Sequence, residues 1–164
     1  MIEYTDLTGG KVQMTFEKNQ LGTDVKDILV IPYIKTGHWL MTENIVRGIE
    51  FPGGKIDPDE TVEQAVVREL WEETGVHLKS EDKWTFLADY EFQDKKRGRV
   101  IKRAFLIEMA TYEEAPLPED YETSGVHLLT EAEYLQLETS SLSFYMKDAG
   151  MELLWNKAKE IIKH

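Results

Sequence analysis

The sequence predicts an α/β fold in which a mixed β-sheet is covered by helices on both faces, and three observations predict it. Asp27-Ile28-Leu29-Val30-Ile31-Pro32-Tyr33-Ile34 is a nearly continuous apolar run, the mark of a strand buried on both sides. Thr61 to Thr74 carries apolar residues at helical spacing, and a last amphipathic helix runs from about Phe144 to Ile162. Two β-rich runs, Trp84 to Phe92 and Val100 to Met109, separate them. Strands that surround one helix and precede another need a layer on each face.

Taken in order, Lys11 to Phe16 alternates weakly and reads as an early strand. After the central strand, Gly37 turns the chain and His38-Trp39-Leu40-Met41-Thr42 returns as a hairpin partner. Phe51-Pro52-Gly53-Gly54 breaks regular structure and opens a loop. Thr61-Val62-Glu63-Gln64 has the capping-box pattern, and Gly75 is placed to end the helix it starts. Lys95-Lys96-Arg97-Gly98-Arg99 forms a charged tip between the two β-rich runs. Pro116 and Pro118 mark a loop, and a short helix near Glu131 to Leu137 precedes the last one.

With 164 residues, 41% hydrophobic and 30% charged, the chain is expected to form one domain spanning 1–164. It has no cysteine, which excludes disulfides, thiolate catalysis and cysteine-ligated zinc. No apolar stretch is long enough to cross a bilayer, and Met1 to Asp6 lacks the features of a secretory signal, so a cytoplasmic location with no membrane partner is expected. The net charge of −12 repels a phosphate backbone, which argues against binding duplex DNA. An acidic protein that handles a phosphorylated substrate needs a positive charge between the two, and a divalent cation is the natural candidate.

Glu69, Glu72 and Glu73 stand at i, i+3 and i+4 on the predicted helix. Glu69 and Glu73 fall within roughly 20° of Val62 around the axis, and Ala65 and Val66 flank the same direction. The carboxylates thus continue the apolar stripe, where a merely solvated acidic face would avoid it. Acids crowded beside a core repel one another and lose hydration, and a hard cation with oxygen ligands removes both costs. Arg68, four residues before Glu72, is placed to orient a glutamate, or to form a plain surface pair. Gly53-Gly54 lets backbone approach a ligand closely, and Lys55 adds a positive charge beside it. The tip at Lys95 to Arg99 reads as a solvated hairpin end or as a contact for polyphosphate or an RNA 5′ end. His38, His77, His127 and His164 show no ligand spacing, and Trp71 points away from the apolar stripe.

Together these residues resemble the Nudix box. Gly54, five residues, Glu60, seven residues and then Arg68-Glu69-Leu70-Trp71-Glu72-Glu73-Thr74-Gly75-Val76 fill every fixed position of that pattern. Glu50 to Ile56 and Glu63 to Leu70 are similar to the MutT-like branch of the family, and Arg47-Gly48 with Ser143 to Asp148 resemble its YtkD-type members. The resemblance implies an α/β/α sandwich with the mixed sheet between helices. It also implies Mg²⁺-dependent hydrolysis of a nucleoside triphosphate, such as 8-oxo-dGTP or a related purine nucleotide, to nucleoside monophosphate and pyrophosphate, with Mn²⁺ able to substitute. Alternatives within the family are RNA 5′-triphosphate ends, dinucleoside polyphosphates and nucleotide sugars. A non-catalytic nucleotide-binding module is the alternative of another class.

Carried onto this chain, the resemblance makes Glu69, Glu72, Glu73 and Arg68 the catalytic candidates. The Glu69, Glu72 and Glu73 carboxylates and the Gly53 carbonyl would hold metal. Glu122 is the candidate for a further acid from a late loop, with Glu119 and Asp120 as its alternatives. Arg47, Phe51, Gly54 and Lys55 are the candidate substrate-binding residues, Phe51 as part of a base pocket. No asparagine equivalent to the purine reader of MutT is evident.

Overall fold

The computed structural model describes residues 1–118 and 122–163. Nine strands form one mixed sheet: β1 (Ile2–Thr5), β2 (Lys11–Thr15), β3 (Val25–Ile34), β4 (His38–Asn44), β5 (Gly48–Glu50), β6 (Gly53–Lys55), β7 (Lys83–Asp94), β8 (Gly98–Met109) and β9 (Thr123–Leu129). Their order is β1-β2-β7-β8-β3-β4-β5, with β6 also pairing β3 and β9 also pairing β4. Among the described strands only β3 and β8 pair in parallel, and both are among the most apolar segments. A parallel pair has to be covered on both faces.

Helix α1 (Val62–Thr74) covers one face, with Ala65, Val66 and Leu70 packed on Ile28, Val30, Phe105 and Ile107. Helix α3 (Ala149–Ile162) covers the other, with Met151, Leu154, Trp155 and Ala158 packed on Leu29, Ile31, Ala104 and Leu106. The short helix α2 (Glu131–Leu135) adds Tyr134, whose ring meets Trp155 edge-on. The predicted sandwich and its central strand are therefore present. Among the described residues no helix is long and apolar enough to cross a membrane.

Both signals that bound α1 act as read. Thr61 Oγ1 accepts from Gln64 N at 3.1 Å and the Gln64 side chain accepts from Thr61 N at 2.9 Å, while Gly75 closes the helix at φ 77°. Thr61→Ala is expected to cost about 1 kcal/mol, because the Gln64 N–H loses its acceptor and the capping box is broken. Urea denaturation checks it; an unchanged midpoint would contradict the cap's role.

Two expectations need correction. Gly53 to Lys55 is not a plain loop, because Leu29 pairs with Gly53, Ile28 with Gly54 and Asp27 with Lys55. A glycine pair is narrow enough for this added strand to lie against β3. The last helix does not begin at Phe144 either. Phe144–Lys147 is a 3₁₀ turn, and Asp148 interrupts it by accepting from Gly150 N at 2.8 Å as the N-cap of α3.

Candidate active site

The face that α1 turns to the sheet carries Glu69 among Ala65, Val66, Leu70 and Thr74, and its carboxylate residue is only 9% exposed. Helical spacing puts Glu73 one turn further on the same side, where the two carboxyl groups share a hydrogen bond. Glu73 also accepts from Gly53 N at 3.3 Å, which ties the helix to β6. Burial, followed by the nearby charge of Glu69, pushes the Glu73 carboxyl up to about 9. Burial raises Glu69 as well. Two carboxyls withdrawn from water and set against each other disfavour carrying both charges at once.

Arg68 holds the outer side of this pair. Its Nε and one terminal nitrogen fork onto Glu60 at 2.6 and 2.8 Å. The other terminal nitrogen donates to Glu69 at 3.0 Å and to Glu72 at 3.2 Å, and the first also reaches the Lys55 carbonyl at 3.0 Å. A guanidinium has five N–H donors, and here five contacts engage it. The plain surface pair is thus excluded: Arg68 joins the loop at Lys55 and Glu60 to the carboxylates of α1. Hydrogen bonding to Glu60 raises its pKa further.

Gly54 faces Glu69 so closely that a Cβ there would lie 2.6 Å from Glu69 Cδ. At Gly53 it would lie 2.6 Å from the Ile28 carbonyl oxygen. The first glycine lets the strand pass β3, and the second makes room for the carboxylate.

A cleft of about 510 Å³ opens from Glu69 and Glu73 towards Asp27, Arg47, Glu50 and Lys102. Glu50, at the end of β5, is 8% exposed and receives Arg47 Nε at 2.8 Å; burial raises its carboxyl despite that partner. Asp27 is held by both terminal nitrogens of Arg97, at 2.6 and 3.0 Å. Lys102 of β8 stands between Asp27 and Tyr90 in register across the sheet. It lies 5.7 Å from the centre of the Tyr145 ring, which Arg47 also approaches at 5.2 Å. Burial lowers the Lys102 ammonium. A second groove of about 540 Å³, lined by Val67, Trp71, His77 and Trp84, lies on the outer side of α1 and includes none of the three glutamates.

Residues 25–147 match the NUDIX domain. The chain belongs to the Nudix family. YtkD of Bacillus subtilis (strain 168), which carries the provisional name of an 8-oxo-dGTP diphosphatase, is 32% identical over 160 residues, covering 98% of this chain and 97% of that one. The 8-oxo-dGTP diphosphatase of Escherichia coli (strain K12) is 52% identical over 55 residues, 32% of this chain and 40% of that one. A crystal structure of a variant of the Bacillus subtilis pyrophosphohydrolase BsRppH superposes with a TM-score of 0.80 at 30% identity, covering 98% of this chain and 97% of that one. The fold is the Nudix α/β sandwich, and the protein is a hydrolase acting on acid anhydrides.

The Nudix residues singled out from sequence do not all converge. Glu69 and Glu73 face the cleft with Gly53, Gly54, Lys55 and Arg47, whereas the Glu72 carboxylate is 35% exposed and turned to Arg68. Among the described residues no three acidic or histidine side chains are already gathered tightly enough for a cation. The physical reason is that Glu69 and Glu73 are bonded to each other and Glu72 to Arg68. Phe51 is 2% exposed and packs edge-on against Trp39 and Trp155, so most of its ring belongs to the core beneath the cleft. Glu122 lines the far wall, and its carbonyl accepts from Ile45 N at 2.8 Å. Glu119 and Asp120 lie outside the described residues. The basic tip is partly consumed: Arg97 binds Asp27 and Arg99 binds Glu91, while Lys95 and Lys96 stay exposed. Trp71 stacks on His77 with ring centres 5.7 Å apart. Sequence reading missed Glu50 and Lys102. A signal existed for the second, since Lys102-Arg103 puts two charges inside an apolar strand that has no solvent face.

Proposed function

We propose that the chain is a Mg²⁺-dependent nucleoside triphosphate pyrophosphohydrolase acting on 8-oxo-dGTP or a related purine nucleotide. The facing Glu69–Glu73 pair, the first buried and the second partly buried, at the head of an open cleft carries the reading, because such a pair costs stability unless a cation or a proton balances it. The donors present are all oxygens: the Glu69, Glu72 and Glu73 carboxylates, the Gly53 carbonyl and Glu122 across the cleft. This set fits Mg²⁺, with Mn²⁺ able to replace it, and not a soft metal. When bound, the ion supplies neutralisation and polarisation of the phosphate oxygens.

The chain's own residues then do the rest. Arg68 keeps Glu69 and Glu72 in place through the contacts described above, and Lys55 and Arg47 offer positive charge at the cleft rim. Glu69 or Glu73 takes a proton from a water or orients it for in-line attack on phosphorus. The P–O bond to the bridging oxygen breaks, and nucleoside monophosphate and pyrophosphate leave. Saturating Mg²⁺ is expected to raise Tm by about 5 °C, since binding to the folded chain alone stabilises it. The shift should vanish in Glu73→Gln; an equal shift in that variant would remove Glu73 from the ion's ligands.

A second reading, hydrolysis of RNA 5′-triphosphate ends, is favoured by one observation. The hairpin tip adjoins the cleft through Asp94 and Arg97 and carries the exposed Lys95 and Lys96. The Lys95→Glu, Lys96→Glu double variant should keep nucleotide hydrolysis and lose about tenfold on RNA if this reading holds. Equal loss on both substrates would count against it. The test of the main proposal is a panel with Mg²⁺: 8-oxo-dGTP, ordinary nucleoside triphosphates, triphosphorylated RNA, a dinucleoside polyphosphate and a nucleotide sugar. Highest kcat/KM for an oxidised purine triphosphate is expected. Tight nucleotide binding without turnover would leave only a binding module.

A further inference from the structure

Three charged groups from β3, β5 and β8 face the inner part of the cleft, and their partnerships are unequal. Asp27 is taken up by both terminal nitrogens of Arg97. Glu50 is taken up by Arg47, at 2.8 and 3.4 Å. Lys102, although partly buried and flanked by these two acids, makes no ion pair and no hydrogen bond among the described residues; its contact is the face of the Tyr145 ring. Asp27 and Glu50 are each bonded by an arginine, and Glu73, the third acid whose charge reaches Lys102, is bonded to Gly53 N and set against Glu69, so no acid among the described residues is bonded to the lysine. A withdrawn ammonium whose N–H donors have no bonded acceptor is costly and is rarely kept by packing alone.

Its position makes the unbonded ammonium useful. A second chamber of about 190 Å³ adjoins the carboxylate cleft, lined by Tyr4, Phe92, Met151 and Leu154 and by the acids Asp6 and Asp148. The two spaces share a wall at Asp27, Tyr90, Lys102 and Tyr145. Lys102 therefore stands where a polyphosphate anchored at Glu69 and Glu73 would meet a nucleoside seated in the second chamber, whose wall mixes aromatic, apolar and acidic side chains. An ammonium with three free donors suits phosphate oxygens and little else of that ligand.

We propose that Lys102 is a substrate-binding residue that seats a phosphate of the polyphosphate at the junction of the two chambers. The inference rests on the proposed polyphosphate substrate for the class of ligand, and its test separates the two. Lys102→Met, which keeps the side chain's length, and Lys102→Arg, which keeps its charge, are compared with the unaltered chain. Two readouts are taken: calorimetric binding of inorganic pyrophosphate with Mg²⁺, and KM against kcat for the best substrate of the panel. Lys102→Met should weaken pyrophosphate binding about ten- to a hundredfold, the loss of one hydrogen bond to a charged group. Its KM should rise by a similar factor, with the larger share of the loss in KM rather than kcat. Lys102→Arg should recover most of both. Where the methionine variant does not fold, Lys102→Gln is read in the same way. Wild-type pyrophosphate affinity in Lys102→Met, or no pyrophosphate binding by the unaltered chain, overturns the inference. Lysine-dependent pyrophosphate binding without nucleotide turnover would leave it standing and remove the proposed function; turnover with an indifferent Lys102 does the reverse.

Discussion

Glu73→Gln is expected to lower kcat by about a thousandfold, the scale on which a positioned proton acceptor and an electrostatic ligand act. The substitution keeps the shape of the side chain and can still accept the hydrogen bond from Gly53 N, so the fold should survive. Without metal it should be at least as stable as the parent, because it removes a partly buried carboxyl whose charge is opposed first by burial and then by Glu69. Loss of rate with retained or raised Tm separates chemistry from structure. Near-parental turnover by the folded variant would discard the role of Glu73, and a large fall in Tm would mean that the carboxyl is structural.

Gly54→Ala is expected to reduce kcat by about a hundredfold or more through one methyl group. The methyl carbon would sit 2.6 Å from Glu69 Cδ, inside contact distance, so the carboxylate has to leave its place. Gly54 is absent from the residues with positive φ, so alanine adopts its backbone conformation without strain and β6 keeps its pairing with Ile28. The effect is therefore on Glu69, with overpacking adding about 1–3 kcal/mol of destabilisation. Shortening the acid should relieve the clash: in the Glu69→Asp background the alanine ought to cost clearly less than in the parent, a coupling that a double-mutant cycle reads directly. Additive losses would show that the glycine acts elsewhere.

Much of this was legible before any coordinates. The capping box at Thr61, the stop at Gly75 and the apolar run of β3 are local signals, and each produced its element. The placement of Glu69 on the apolar stripe followed from helix geometry alone, and its burial agrees. Other features depended on distant partners. Strand β9 reads Thr-Ser-Gly-Val-His-Leu-Leu, a weak alternation that becomes a strand only because β4 offers it an edge. Gly53–Lys55 looked like a loop because glycine hides strand character, and its partner β3 lies far back in the chain. Phe51 stood beside the glycine loop and so suggested a ligand contact, yet Trp39 and Trp155, remote in sequence, enclose it. Lys102 showed in the sequence only as a charge inside an apolar strand, and three-dimensional neighbours are needed to see that none of the nearby acids is bonded to it.

Whether the α1 carboxylates carry a divalent cation against phosphate is tested most directly by diffraction with Mn²⁺ and a non-hydrolysable nucleoside triphosphate analogue. The expected result is an anomalous peak between Glu69 and Glu73, with the two carboxyls parted from each other and a phosphate oxygen completing the ion's shell. An analogue bound in the cleft while those glutamates remain hydrogen-bonded to each other, with no anomalous signal beside them, would contradict it.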